Sequence, residues 1–132
     1  MDKPSLQQLT LALRSSWDEK TSFVPSEWSL ANPARGQCLV STLVVQDYFG
    51  GDIQRYRVHT KDFKETHYCN ILPDGTILDT TAFQYNEPVT LEVAPIELNG
   101  YATARDKRLS SDGIRTQYEL LKKRVALSLV QG

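Results

Sequence analysis

Residues 37–49 constrain the fold more than any other stretch. Leu39, Val40, Leu43, Val44 and Tyr48 form a wide apolar stripe, and Gly50-Gly51 follows as a stop signal. The β-branched Val40, Thr42, Val44 and Val45 would also suit a strand. Length and the glycine stop favour a helix, and so wide a stripe makes it a buried, central one. Before it, residues 4–17 read as a helix: Pro4 suits a first turn, and Leu6, Leu9, Leu13 and Trp17 recur at spacings of three and four. Between the two, residues 18–36 hold Pro25, Asn32, Pro33, Gly36 and several serines. They read as one ordered loop, of a length more often functional than incidental.

Strand patterns follow the central helix. Residues 52–59 contain Ile53, Tyr56 and Val58, residues 66–72 run into the turn Pro73-Asp74-Gly75, and residues 76–80 complete a hairpin. Residues 83–97 add a further strand through Val89, Leu91 and Val93, and residues 99–112 read as a polar loop. The last helix spans residues 114–130, with Ile114, Tyr118, Leu121, Val125 and Leu129 on one face and Ser110, Ser111 or Asp112 as its cap. It is expected to pack on the sheet and to leave Lys122, Lys123 and Arg124 solvated. Helices segregated from antiparallel strands make the fold class α+β.

A chain of 132 residues is one domain, 1–132. Its 15 Lys and Arg against 16 Asp and Glu give a net charge of −1. That argues against nucleic acid or an anionic membrane as partner, since both need a basic surface. No run of about 18 apolar residues offers a membrane span. The start, Met1-Asp2-Lys3-Pro4-Ser5, lacks the features of a signal peptide, and two cysteines do not build a disulfide scaffold. A cytoplasmic protein with reduced thiols is the resulting expectation. Two histidines in no zinc-like spacing, and glycines without a phosphate-loop lysine, point to no metal and no cofactor.

Three residues have the types and placement that chemistry needs. Cys38 follows Gly36-Gln37 at the start of the central helix, His67 lies on the first hairpin strand and Asp79 on the second. Thiols become useful nucleophiles near neutral pH when a helix N-terminus or an imidazolium stabilises the thiolate. Cys38 sits where the first applies, His67 could supply the second, and Asp79 could orient the imidazole. The hairpin register tests this. With a three-residue loop, Leu72 pairs with Thr76, Cys69 with Asp79 and His67 with Thr81, so His67 and Asp79 are diagonal neighbours roughly 7 Å apart on one face. A two- or four-residue loop puts them on opposite faces, so the chemistry demands an odd loop, with Gly75 at positive φ. Cys69 shares the face of His67 by strand alternation, which leaves a Cys38–Cys69 pair open.

The order Cys on a helix, His on a strand, Asp on the next strand is similar to that of papain-like and transglutaminase-like thiol enzymes. The run from His67-Tyr68-Cys69-Asn70 through Asp74-Gly75 to Asp79-Thr80-Thr81 resembles the transglutaminase core, with Cys69 where that pattern commonly has Trp. A closer resemblance is to the small YunG-like family. It is carried by Trp28, Pro33-Ala34-Arg35-Gly36-Gln37-Cys38, Asp47 with Phe49-Gly50-Gly51, His67-Tyr68 with Asn70, Asp74-Gly75, and Asp79 with Thr81, Gln84 and Tyr85. It covers residues 28–85, with a fainter echo over 118–125. It implies a papain-like α+β fold, with the Cys-bearing helix packed on an antiparallel sheet, and a catalytic triad of Cys38, His67 and Asp79.

Acyl transfer through a thiolate also needs donors for the developing oxyanion. The backbone N–H of Cys38 and the side chains of Gln37, Asn70 and Gln84 are the candidates. Trp28 and Arg35 flank the site in sequence and are candidates for shaping a substrate groove. The expected activity is that of a hydrolase or acyltransferase acting on an amide, ester or thioester of a peptide, protein or small molecule. The alternative is a catalytically inactive binding or regulatory domain on the same scaffold.

Overall fold

A computed structural model describes residues 3–60, 64–85 and 87–131. Met1, Asp2, Asn86 and Gly132, which fall within the expectations above, lie outside the described residues. The elements are α1 (Leu6–Ser16), α2 (Cys38–Phe49), β1 (Asp52–His59), β2 (Lys64–Ile71), β3 (Ile77–Leu78), β4 (Thr90–Val93), α3 (Ala104–Leu109) and α4 (Asp112–Gln131). Short 3-10 turns lie at Pro25–Glu27 and Ala82–Gln84. The four strands form one antiparallel sheet in the order β3-β2-β1-β4. The class is therefore α+β. No helix among the described residues is long and apolar enough to cross a membrane.

Helix α2 is the axis of the fold. Every residue from Leu39 to Val45 is buried, so it is covered by protein nearly all round. Helix α1 begins at Ser5 in a capping box: the Ser5 hydroxyl accepts from Gln8 N, and Gln8 Oε1 accepts from Ser5 N. Its Leu9 and Leu13 are sealed in the core, whereas Leu6 sits at the edge. Tyr118, Leu121 and Val125 of α4 join the same apolar cluster. Helix α4 thus packs on α1 and α2, not on the sheet as its stripe suggested. The reason lies in contacts between residues far apart in the chain. Arg124 pairs with Asp18 at 3.0 Å and donates to Ser16 O at the end of α1, so this basic run is not simply a solvated face. Asp47 of α2 accepts from Arg105 and Tyr118, fastening α3 and α4 to the central helix.

The polar segment 99–112 is not all loop, because α3 forms within it. Thr103 caps α3 by accepting from Asp106 N at 3.0 Å, and Lys107 and Arg108 fill its last turn. The expected strand in 83–97 shrinks to β4, which pairs with β1. Strand β3 shrinks to two residues, so Asp79 lies just beyond it.

The hairpin register is the one a three-residue loop requires. Asn70 faces Leu78, Ile71 faces Ile77, and Leu72 N donates to Thr76 O at 2.8 Å. Gly75 adopts φ +88°, as that loop demands.

The connection between α1 and α2 is an ordered loop tied across its base. Phe23 N donates to Gly36 O at 2.9 Å, and Ser22 Oγ donates to Arg35 O at 2.8 Å. Trp28 Nε1 donates to Pro33 O, closing the tip. Gly36 has φ +78°, and a Cβ there would lie 2.2 Å from Ser22 Oγ. Gly75 shares the positive φ but has open space around it. Gly75→Ala is therefore expected to cost about 1 kcal/mol, the backbone penalty alone, and Gly36→Ala about 2 kcal/mol or more. Chemical denaturation of the two variants checks the ordering; equal losses would mean that the contact with Ser22 relaxes freely.

Candidate active site

Cys38 is the first residue of α2 and is half-buried. Two side-chain amides hold that helix start. The Gln37 side chain is fully buried: its Oε1 accepts from Thr21 Oγ1 at 2.7 Å and its Nε2 donates to Asp18 O at 2.9 Å. The Gln84 Oε1 accepts from Gly36 N and from Arg35, both at 3.2 Å. The first intrahelical bond runs from Ser41 N to Gln37 O, so the N–H groups of Cys38, Leu39 and Val40 have no acceptor within the helix. They are donors available beside the sulfur.

His67 lies on β2 opposite Tyr56 of β1 and is sealed from solvent at 0% exposure. Its Nε2 meets Asp79 Oδ2 at 2.6 Å. Asp79 Oδ1 in turn accepts from Thr81 N at 3.2 Å, which fixes the carboxylate plane. This is the diagonal pairing that the odd loop dictates. With Nε2 engaged by the carboxylate, the other ring nitrogen is Nδ1, and Cys38 is near enough to act on the imidazole. Gln84 Nε2 stands 3.4 Å from the same Nδ1. Tyr56 stacks over the ring at 6.5 Å, and Tyr85 meets it edge-on at 5.5 Å.

The electrostatics follow from these contacts. Burial opposes a charge on His67, but hydrogen bonds to Asp79 and Cys38, and the charges of both, outweigh it and raise the imidazole to about 9. The second thiol is in the opposite condition. Cys69 is 2% exposed, and burial pushes it up to about 11 despite a hydrogen bond with Tyr56. It stays a protonated, covered thiol at neutral pH.

The structure gathers Cys38, His67, Asp79 and Gln84 at one place, and it places Arg35 in the lining of the adjoining cleft. It does not bring in the others. Gln37 has both amide ends engaged, by Thr21 and by Asp18 O. Asn70 is buried, and its amide donates to Thr42 O at 3.0 Å, a strut between β2 and α2. Trp28 anchors its own loop and does not line the cleft. Arg35 is clamped by Glu27 and Glu65, each at 2.9 Å. Tyr56 escaped sequence reasoning, although the β1–β2 register would have revealed it facing His67. Arg55 and Arg108 also escaped, since each reads as an ordinary surface cation until the fold sets it in the cleft wall.

A thiol, an imidazole and a carboxylate in this sequence can carry a proton away from sulfur and hold the resulting imidazolium. A cleft of about 1120 Å³ adjoins them through Leu39, Gln84 and Tyr85, the three residues themselves lying outside its lining, and is walled partly by Phe23, Val24 and Ile114.

The residues that build this site fall inside the region shared with other proteins. A family model described as YunG protein matches residues 5–130. A Bacillus subtilis (strain 168) protein described as uncharacterized protein YunG is 32% identical over 90 residues, which cover 68% of this chain and 71% of that relative. No solved structure matches the chain. With the family model spanning α1 to α4, the Cys-led helix and the His- and Asp-bearing hairpin included, the chain belongs to the YunG family.

Proposed function

We propose that this protein is a thiol-dependent hydrolase or acyltransferase that works through Cys38, His67 and Asp79. The observation that carries the reading is the sealed imidazole of His67, paired with Asp79 at 2.6 Å and raised to about 9 by Asp79 together with Cys38 at the start of α2. A buried base joined on one side to a carboxylate and on the other to a half-exposed thiol is what nucleophilic catalysis by sulfur requires. A Cys-led helix followed by antiparallel strands also supports a papain-like or transglutaminase-like relationship. The proposed setting is the cytoplasm, where the thiols stay reduced.

The chemistry runs in two halves. In the reactive form the thiol proton already rests on His67 Nδ1, since the imidazole is raised to about 9, and the Cys38 thiolate attacks the carbonyl carbon of an amide, ester or thioester. The carbonyl π pair moves onto oxygen, where the free N–H groups at the start of α2 stabilise it. On collapse the bond to the leaving group breaks, and that group takes the proton from His67, leaving an acyl thioester on Cys38. Water or an amine then gives its proton to His67, attacks the thioester and releases the acyl product and the thiol. Asp79 holds the ring in the required tautomer throughout, with Nε2–H towards the carboxylate.

Alkylation by iodoacetamide at pH 7, read by mass spectrometry, tests the reading without a known substrate. Cys38 is expected to react about tenfold faster than a small free thiol, and Cys69 not at all in the folded protein. His67→Ala should return Cys38 to the free-thiol rate, and Asp79→Asn should lie between the two. In turnover, His67→Ala is expected to cost about 10²- to 10⁴-fold. A Cys38 rate no faster than the free thiol, and indifferent to His67→Ala, would instead identify a non-catalytic binding domain on this scaffold.

A further inference from the structure

Two buried side-chain polar atoms have no hydrogen-bond partner among the described residues: the phenol oxygen of Tyr85 and Nε of Arg108. They come from opposite ends of the hairpin-to-helix segment, yet both residues line the one cleft beside Cys38. Native proteins leave few such groups, and here both belong to side chains of one cleft wall, where no acceptor among the described residues meets them. Burial above all, and then the charge of Cys38, push the Tyr85 phenol upward, so it remains a hydroxyl able to donate.

The charge around Arg108 adds to this. Three arginines line the cleft. Arg35 is neutralised by Glu27 and Glu65. Arg55 donates to the backbone oxygens of Ala94 and Pro95, and its charge and hydrogen bonding act on the Tyr68 phenol. Arg108 lies over the Tyr68 ring at 5.4 Å from its centroid. Neither Arg55 nor Arg108 pairs with a carboxylate among the described residues, and Glu87, also in the lining, is exposed and bonded to neither. Tyr68 therefore joins two unneutralised guanidinium groups, close enough to Cys38 for the cysteine charge to act on its phenol. A guanidinium lying over an aromatic ring keeps its charge and its N–H fork, which suits a planar carboxylate.

We infer that the substrate of Cys38 carries a carboxylate that seats on Arg108 with Arg55 beside it, while the Tyr85 hydroxyl donates to a second acceptor of the same molecule. The inference rests on Cys38 as nucleophile and goes beyond it by naming the substrate class: an acidic acyl compound, its aliphatic part against the apolar wall of the cleft.

Paired maleimides test it on the full chain. N-ethylmaleimide and 3-maleimidopropionate differ by a carboxylate, and their rates at Cys38 are each divided by their rates with 2-mercaptoethanol. The acid is expected to be favoured about tenfold, as one charge-assisted contact allows. Glutarate should slow labelling of the wild-type protein by N-ethylmaleimide more than glutaramide does. Arg108→Gln, folded as judged by circular dichroism, should lose the preference. No preference in the wild-type protein, with glutarate no better than glutaramide, overturns the carboxylate; a preference that persists in folded Arg108→Gln overturns the seat. If N-ethylmaleimide labels Cys38 in a His67-dependent manner while the acid gains nothing, only the carboxylate falls. If the preference holds but the rate ignores His67→Ala, the anion seat is supported and the nucleophile is overturned.

Discussion

A base sealed inside a protein stays charged only where its neighbours supply what water no longer can, and His67 meets that condition from both sides. Asp79 takes Nε2 at 2.6 Å, Gln84 stands at Nδ1, and Cys38 adds its hydrogen bonding and charge. The net effect is an imidazole raised to about 9 in spite of complete burial. Much of the remaining structure serves to bring these three residues together. The three-residue turn at Pro73-Asp74-Gly75 sets the parity that aims Asp79 at His67. One residue more or fewer would turn the carboxylate to the other face of the sheet. Cross-strand Tyr56 and the edge of Tyr85 then exclude water from the ring.

The thiol is held by different means. Helix α2 is covered along its whole first half, so its start cannot slide without opening the core. The loop between α1 and α2 then ties that start down through side-chain amides. Gln37 reaches back to Thr21 and Asp18, and from the turn after β3 Gln84 accepts from Gly36 while its other end approaches His67. Gln84 is thus the link through which the helix start and the imidazole share a fixed geometry. The N–H groups of Cys38, Leu39 and Val40 have no acceptor within the helix, whereas both ends of the Gln37 amide are engaged by Thr21 and Asp18.

Which parts were legible in the sequence follows from what kind of physics sets them. Helix α2, the hairpin and its register could be read because each depends on local pattern: an apolar run ended by glycines, and a turn whose length fixes parity. Cys38, His67 and Asp79 follow from that register together with the resemblance. Helix α3 escaped because its signal is a single cap, Thr103 to Asp106, in a polar stretch with no apolar stripe. The seat of α4 escaped because its partners, Asp18 and Asp47, lie far away in the chain. Gln37 and Asn70 looked like donors for chemistry because a polar side chain beside a nucleophile invites that role, but both are buried braces. Arg108 and Tyr85 show the reverse: nothing local marks them, and only their unbonded atoms in a common cleft do.

The titration of the His67 ring, followed by NMR through its side-chain resonances, reaches the central claim most directly. An imidazole coupled to Cys38 and Asp79 should titrate near 9, with Cys38→Ala moving the midpoint towards lower pH by removing one of the groups that raise it. A midpoint at or below about 6.5, the ordinary value for histidine, and unmoved by Cys38→Ala, would mean that thiol and base do not interact.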